Sequence, residues 1–291
     1  MSWFFGGSGD ISIYRSRILS NQLPFQLLLD DENRFVCAGG PPTTTILSAP
    51  SIKCGFAVCG TGISRGIPHR YLSKSDWSHL LNTKPEHIQN QNGHFAICAW
   101  ESSGISLYTD AVGLRGLFIW KKRDTVLFST HLELLTRVTG ERTINWKQLG
   151  SQWLGLNPFD ATCFFSGIQR IGPSSVVHLT QNDVRVHVSP LSWNSDQSST
   201  PESVIELLSS ILTLPFSENE AVSLGLSGGL DSRFLLGLLM QNPHQTWGIH
   251  TFGEEKNPDR LVARRLATIT DKAHRTVNLI LPKTEDLIPE L

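Results

Sequence analysis

Apolar positions in the first half of the chain come in short runs separated by polar turns. "GHFAICAWESSGISLYTD" (93–110) carries two apolar and aromatic runs about a Ser-Ser-Gly turn, and "GLFIWKKRDTVLFST" (116–130) repeats the design around "KKRD". Both read as strand hairpins. "HLELLTRV" and "NWKQLGSQWLG" then put apolar residues at helical spacing. "SSVVHLTQNDVRVHVS" is a further hairpin with Gln181, Asn182 and Asp183 at its turn. Strands first and helices after predict an α+β domain of layered sheets and helices.

The pattern changes after "SPLSWNSDQSSTPES" (189–203), a stretch crowded with Ser, Pro, Asn and Asp that reads as a linker. Pro201 suits the first turn of a helix through "ESVIELLSSIL", with Thr200 as its cap. Beyond it the period alternates. A buried strand at 221–226 and a helix at 232–240 are followed by a strand in "TWGIHTF", a helix in "PDRLVARRLATIT" and a strand in "HRTVNLIL". Strand-helix-strand-helix-strand predicts a parallel α/β sheet. The boundary is set near Ser195, giving domains 1–194 and 195–291.

Composition narrows the classes. Lys plus Arg number 25 against 26 Asp plus Glu in 291 residues, with no basic stripe, so no nucleic-acid surface is expected. Five cysteines, an odd number, do not make a disulfide framework, and Cys54 and Cys59 lack a downstream pair for zinc. Buried free thiols are the expected state for Cys37, Cys54, Cys59, Cys98 and Cys163. "MSWFFGGSGD" has neither a basic nor an apolar leader region, and no apolar run reaches membrane-spanning length. A cytoplasmic protein without a membrane partner is expected.

The candidate chemistry lies in "AVSLGLSGGLDSRFLLGLLMQ" (221–241). Gly225 to Gly229 fit G-x-S-x-G, the elbow that presents a nucleophilic serine in α/β hydrolases. That reading needs an acid and a histidine later in the chain. Asp259, Asp271, His250 and His274 are available, but the upstream oxyanion segment is missing. The overlapping "SGGLDS" reads instead as a phosphate cradle opening a helix. Gly228 and Gly229 would adopt positive φ and aim successive N–H groups at one anion. Ser227 and Ser232 would add hydroxyls, and Asp231 would hold a magnesium ion on the phosphates. The plainer alternative is that Asp231 and Ser232 only cap a helix. Capping explains one of them, not both serines and both glycines, so the cradle is the favoured reading.

"SGGLDS" after a buried strand resembles the PP-loop of ATP pyrophosphatases, and with "HTFGEEKNPDRLVARRLA" it looks like the synthetase domain of the asparagine synthetase-related family. In the first half, a strand pair leading to "DAVGLRGL", a strand ending at "STHLELL" and the segment "IQRIGPSSVVHL" are similar to that family's glutaminase domain. The resemblance implies an Ntn-hydrolase-like α+β domain followed by part of a PP-loop α/β domain. The activity implied is an ATP- and magnesium-dependent ligase that adenylates a small-molecule or peptide carboxylate, which ammonia or an amine then attacks. By analogy Leu226, Phe252 and Gly253 approach the adenosine, while Ser227, Gly228, Gly229, Asp231 and Ser232 hold the pyrophosphate and its metal. Asp259 is read as the cap of its own helix.

Two departures shape the expectation. The family's nucleophilic cysteine after the initiator methionine is Ser2 here, an N-terminal nucleophile in principle but read as a tolerated start residue. "CGTGISRG" (59–66) stands where the family carries "NGEIYN". The first domain is therefore expected to be inactive as a glutaminase. The chain stops at Leu291, before the family's remaining acidic ligands and catalytic lysine, so a fragment, a second chain completing the domain, or a decayed enzyme is expected. The rival to the ligase is a non-catalytic ATP-binding or interaction protein derived from it.

Overall fold

The computed structural model describes residues 1–20, 23–66, 68–155, 162–180, 183–189, 199–212, 214, 222–241 and 247–278. Ala221, Gln181, Asn182, most of the expected linker and the end of the last expected strand lie outside these residues. The chain forms two compact units, Met1–Asn194 and Ser195–Leu291.

The first unit opens with β1 (Trp3–Ser8), α1 (Ser12–Leu19), β2 (Gln26–Asp30), β3 (Arg34–Gly39), β4 (Thr45–Ser51), β5 (Cys54–Ile63) and α2 (Lys74–Thr83). It continues with β6 (Asn92–Glu101), β7 (Gly104–Thr109), β8 (Phe118–Lys122), β9 (Thr125–Ser129), α3 (Leu132–Thr139) and α4 (Trp146–Gly155). It closes with β10 (Ile168–Arg170), β11 (Ser175–Leu179) and β12 (Val184–Val188). Two six-stranded sheets result, in the orders β10-β8-β9-β1-β3-β2 and β12-β11-β7-β6-β5-β4. Every pairing within them is antiparallel.

Alternation along the strands explains the layers. Phe4, Val36 and Phe128 of the first sheet share one core cluster with Ala57, Cys98 and Trp100 of the second, so these faces pack together. The other face of the first sheet, with Phe5, Phe35, Trp120 and Leu127, packs against Ile18 of α1 and Leu134, Leu135 and Val138 of α3. The other face of the second sheet, with Phe56, Val58, Phe95 and Ile97, packs against Trp77 of α2 and Ile88. Layered antiparallel sheets with helices were expected for this unit. The order of elements is not as expected: α1 and α2 come early, among the strands rather than after them. Cys54 is also exposed, whereas the other four cysteines are buried, because it opens β5 at the sheet rim.

The second unit runs α5 (Pro201–Leu212), β13 (Val222–Gly225), α6 (Leu230–Met240), β14 (Trp247–Phe252), α7 (Pro258–Ile269) and β15 (His274–Val277). Thr200 caps α5, its hydroxyl accepting from the Ser203 N–H at 3.2 Å. The strands form a parallel sheet in the order β13-β14-β15. Leu224, Trp247 and Ile249 form a core with Leu236 and Leu239 of α6 and Ala263 and Ala267 of α7. Both helices therefore lie on one face. The opposite face carries exposed Ser223 and Phe252. Among the described residues, no helix is long and apolar enough to cross a membrane.

Candidate functional site

A parallel strand delivers its carboxyl end to the edge where the next helix begins, and such edges are where open α/β sheets bind ligands. Here β13 ends at Gly225 and α6 begins at Leu230, so Leu226 to Gly229 form the turn. Leu226 is buried at 2% exposure. Its N–H donates to the His250 carbonyl at 2.9 Å, and its own carbonyl accepts from the buried Thr251 hydroxyl at 3.0 Å. These two bonds tie the start of the turn to β14. Because Thr251 gives its proton to Leu226, the His274 Nε2 at 3.2 Å must be the donor to Thr251. Burial first, then Arg260 and Arg264, hold the His274 pKa below its ordinary value, which favours the neutral ring.

The serines shape the turn from within. The Ser232 hydroxyl accepts from the Ser227 N–H at 3.1 Å and lies 3.0 Å from the Ser227 hydroxyl. Ser227 Oγ in turn accepts from the Gly229 N–H at 3.1 Å. Gly228 points its N–H outward, onto Asp259 Oδ1 at 2.7 Å. A Cβ on Gly228 would sit 2.8 Å from that oxygen, so a side chain there would push the carboxylate aside.

Several expectations change on this geometry. Neither Gly228 nor Gly229 takes a positive φ; Gly229 is extended at φ −71°, and the left-handed glycine of the site is Gly253 at φ +122°. The turn closes through serine hydroxyls instead of left-handed backbone. The helix starts at Leu230, two residues before the expected Ser232, with Gly229 at its cap and no side chain bonded there. Asp231 and Ser232 therefore cap nothing: Asp231 lies exposed in the first turn, and Ser232 reaches back to Ser227. Asp259 is not a cap either. Asn257 takes that place, its side chain accepting from the Asp259 N–H at 2.9 Å, which frees the Asp259 carboxylate for Gly228.

The hydrolase geometry is missing among the described residues. Ser227 Oγ meets Ser232 and Gly229 rather than an imidazole. His250 Nδ1 pairs with the Ser223 hydroxyl at 2.8 Å, and His274 with Thr251. Phe252 is 48% exposed at the end of β14, and the Gly253 N–H donates to the Val277 carbonyl at 3.3 Å.

In the first unit Ser2 is 2% exposed, just ahead of β1. Arg115 Nη2 donates to its carbonyl and lies 3.1 Å from its hydroxyl. Arg115 is placed by the buried Asp110, whose carboxylate accepts the N–H groups of Phe95, Val112, Leu114 and Arg115 at 2.9–3.3 Å. Burial pushes the thiols of Cys37 and Cys59 up to about 12, at Cys59 against the pull of Arg115. Neither supplies a thiolate nucleophile at neutral pH. "CGTGISRG" begins inside β5, with Cys59 to Ile63 paired to β6. The Asp110–Arg115 arrangement was legible only as a turn motif; its reach to Ser2 spans 113 residues of sequence.

The chain matches no family model and no curated protein. Among solved structures it is similar to the allosteric regulatory enzyme of purine biosynthesis, with 10% identity, 95% of this chain and 80% of that chain covered, and a TM-score of 0.41. It is also similar to glutamine phosphoribosylpyrophosphate amidotransferase from B. subtilis complexed with ADP and GMP, with 11% identity, 99% and 70% covered, and a TM-score of 0.41. A likeness at that TM-score decides neither the family nor the chemistry.

Proposed function

We propose that the second unit binds ATP at the Ser227–Ser232 turn, and that the chain is an asparagine synthetase-like, ATP-dependent amide-forming ligase. The observation that carries the reading is the Gly228 N–H, which already holds an oxyanion, the Asp259 carboxylate, at 2.7 Å. A backbone N–H at the mouth of a helix that donates to a carboxylate suits a phosphate oxygen on the same grounds. The fit extends to the helix N-terminus, where no side chain is bonded as a cap. Asp231 makes no hydrogen bond or ion pair among the described residues, so its oxygens are available to magnesium.

In this function ATP would give its adenylyl group to a carboxylate and release pyrophosphate, and ammonia or an amine would then displace AMP to form the amide. The chain's own part is positional. Ser232 fixes the turn through Ser227, the Ser227 hydroxyl would donate its proton to a phosphate oxygen, Gly228 and Gly229 offer backbone close to the phosphates, and Leu226, Phe252 and Gly253 border the adenosine side. Ser2, with its hydroxyl against Arg115, is not assigned glutaminase chemistry, so the nitrogen would come from ammonia or an amine.

The test is calorimetric titration of ATP with magnesium into the unsubstituted chain and Ser227→Ala, followed by assay of pyrophosphate release with candidate carboxylates. Loss of one charge-assisted hydrogen bond should weaken binding by roughly 1.5–3 kcal/mol. Absence of ATP binding in the unsubstituted chain overturns the reading. Binding without pyrophosphate release with any carboxylate leaves an ATP-binding protein in place of a ligase.

A further inference from the structure

We propose that Asp259 is an internal competitor for the anion cradle: its carboxylate occupies the Gly228 N–H in the nucleotide-free chain and is displaced when a phosphate enters. The proposal rests on the nucleotide reading of the same turn and adds a device that sets its affinity. A single N–H makes one strong bond, so a carboxylate oxygen at 2.7 Å and a phosphate oxygen cannot both use it at that distance.

The surroundings make the contact breakable. Asp259 is exposed and forms no ion pair among the described residues, and its carboxylate has no other hydrogen bond there. It sits in the first turn of α7, and the loop before that helix holds Gly253 at φ +122°. A Cβ on Gly253 would lie 2.9 Å from Asn257 Nδ2, so glycine keeps this loop folded tightly onto the α7 cap. Loop and cap together set the Asp259 carboxylate over Gly228. Rotation of an exposed carboxylate is enough to free the donor, with no change in the sheet.

The consequence is that nucleotide-free affinity is lower than the cradle alone would give, and removing the competitor raises it. Inorganic pyrophosphate without magnesium is the probe, titrated into the full chain, Asp259→Ala and Asp259→Asn. Asp259→Ala should bind about tenfold more tightly, the worth of one charge-assisted hydrogen bond no longer contested. Asp259→Asn keeps an acceptor but loses the charge, and should fall between the two. Hydrogen exchange at the Gly228 N–H should be faster in Asp259→Ala than in the unsubstituted chain before ligand is added. If the unsubstituted chain binds pyrophosphate and Asp259→Ala binds it no more tightly, the competitor falls and the nucleotide reading stands. If neither protein binds pyrophosphate, with magnesium absent or present, the nucleotide reading falls and takes the competitor with it.

Discussion

Two carboxylates show how the same residue type is put to opposite uses. Asp110 is fully buried, and each of its oxygens accepts two backbone N–H groups: Oδ1 from Val112 and Leu114, Oδ2 from Phe95 and Arg115. In Asp110→Asn, whichever end carries the NH2 faces two donors, so two backbone N–H groups lose their acceptor. The substitution should destabilise the first unit by roughly 3 kcal/mol in urea unfolding; a loss below about 0.5 kcal/mol would mean that the turn is held by other contacts. Asp231, by contrast, is exposed at the mouth of a helix. Alone it repels a phosphate, and with magnesium between them the sign reverses. Magnesium should therefore tighten ATP binding more in the unsubstituted chain than in Asp231→Asn, and the variant should bind metal-free ATP at least as well. An undiminished magnesium effect in the variant would remove Asp231 from the metal site.

At the scale of elements, the clearest local device is the start of α2. Ser73 accepts from the Asp76 N–H at 3.3 Å, and the Asp76 carboxylate accepts from the Ser73 N–H at 2.8 Å, forming a capping box. Arg70 adds two hydrogen bonds to the same carboxylate at 2.5 and 2.7 Å. Arg70 chiefly, with Ser73 adding and burial opposing, holds Asp76 well below the ordinary carboxylate range. A depressed folded-state pKa stabilises the fold above the unfolded value, about 3.9, and that stabilisation is lost as pH falls further toward the folded value. The cost of Asp76→Asn should be full at pH 6 and shrink as the pH is lowered below about 4. A cost independent of pH would show that the carboxylate charge is not what holds the helix start.

The same scale explains what could be read in advance. The hairpins β6–β7, β8–β9 and β11–β12 were legible because polar turns punctuate their apolar runs. The first ninety or so residues were not. β1 is buried at all six positions, so it shows no alternation, and α1 buries only Ile18, so it shows no stripe. In the site, the Ser-Gly-Gly turn between strand and helix was legible as a motif. The partner of Gly228 was not, because Asp259 lies 31 residues away and is brought there by the α7 cap. The early start of α6 was missed because glycine caps it without a side-chain signal.

At the scale of the whole molecule, the two units differ in how much core supports them. The first has three buried clusters arranged around two sheets. Among the described residues the second has one, formed where α6 and α7 cover one face of a three-stranded parallel sheet. Parallel sheets are ordinarily covered on both faces, and a smaller buried area leaves a smaller margin against chain entropy. Calorimetry of the intact chain should thus show two transitions, the lower one belonging to the second unit. Ligand linkage then identifies which transition contains the nucleotide site. A ligand that binds only the folded form stabilises it by about 2.7 kcal/mol at one hundred times its Kd. ATP should raise the lower transition and leave the upper one unmoved, because Ser227, Gly228 and Asp259 all belong to the second unit. In Ser227→Ala the same ATP concentration should produce a smaller rise, since the weaker Kd enters the same logarithm. An upward shift confined to the upper transition would move the nucleotide site into the first unit and overturn the assignment to the Ser227 turn.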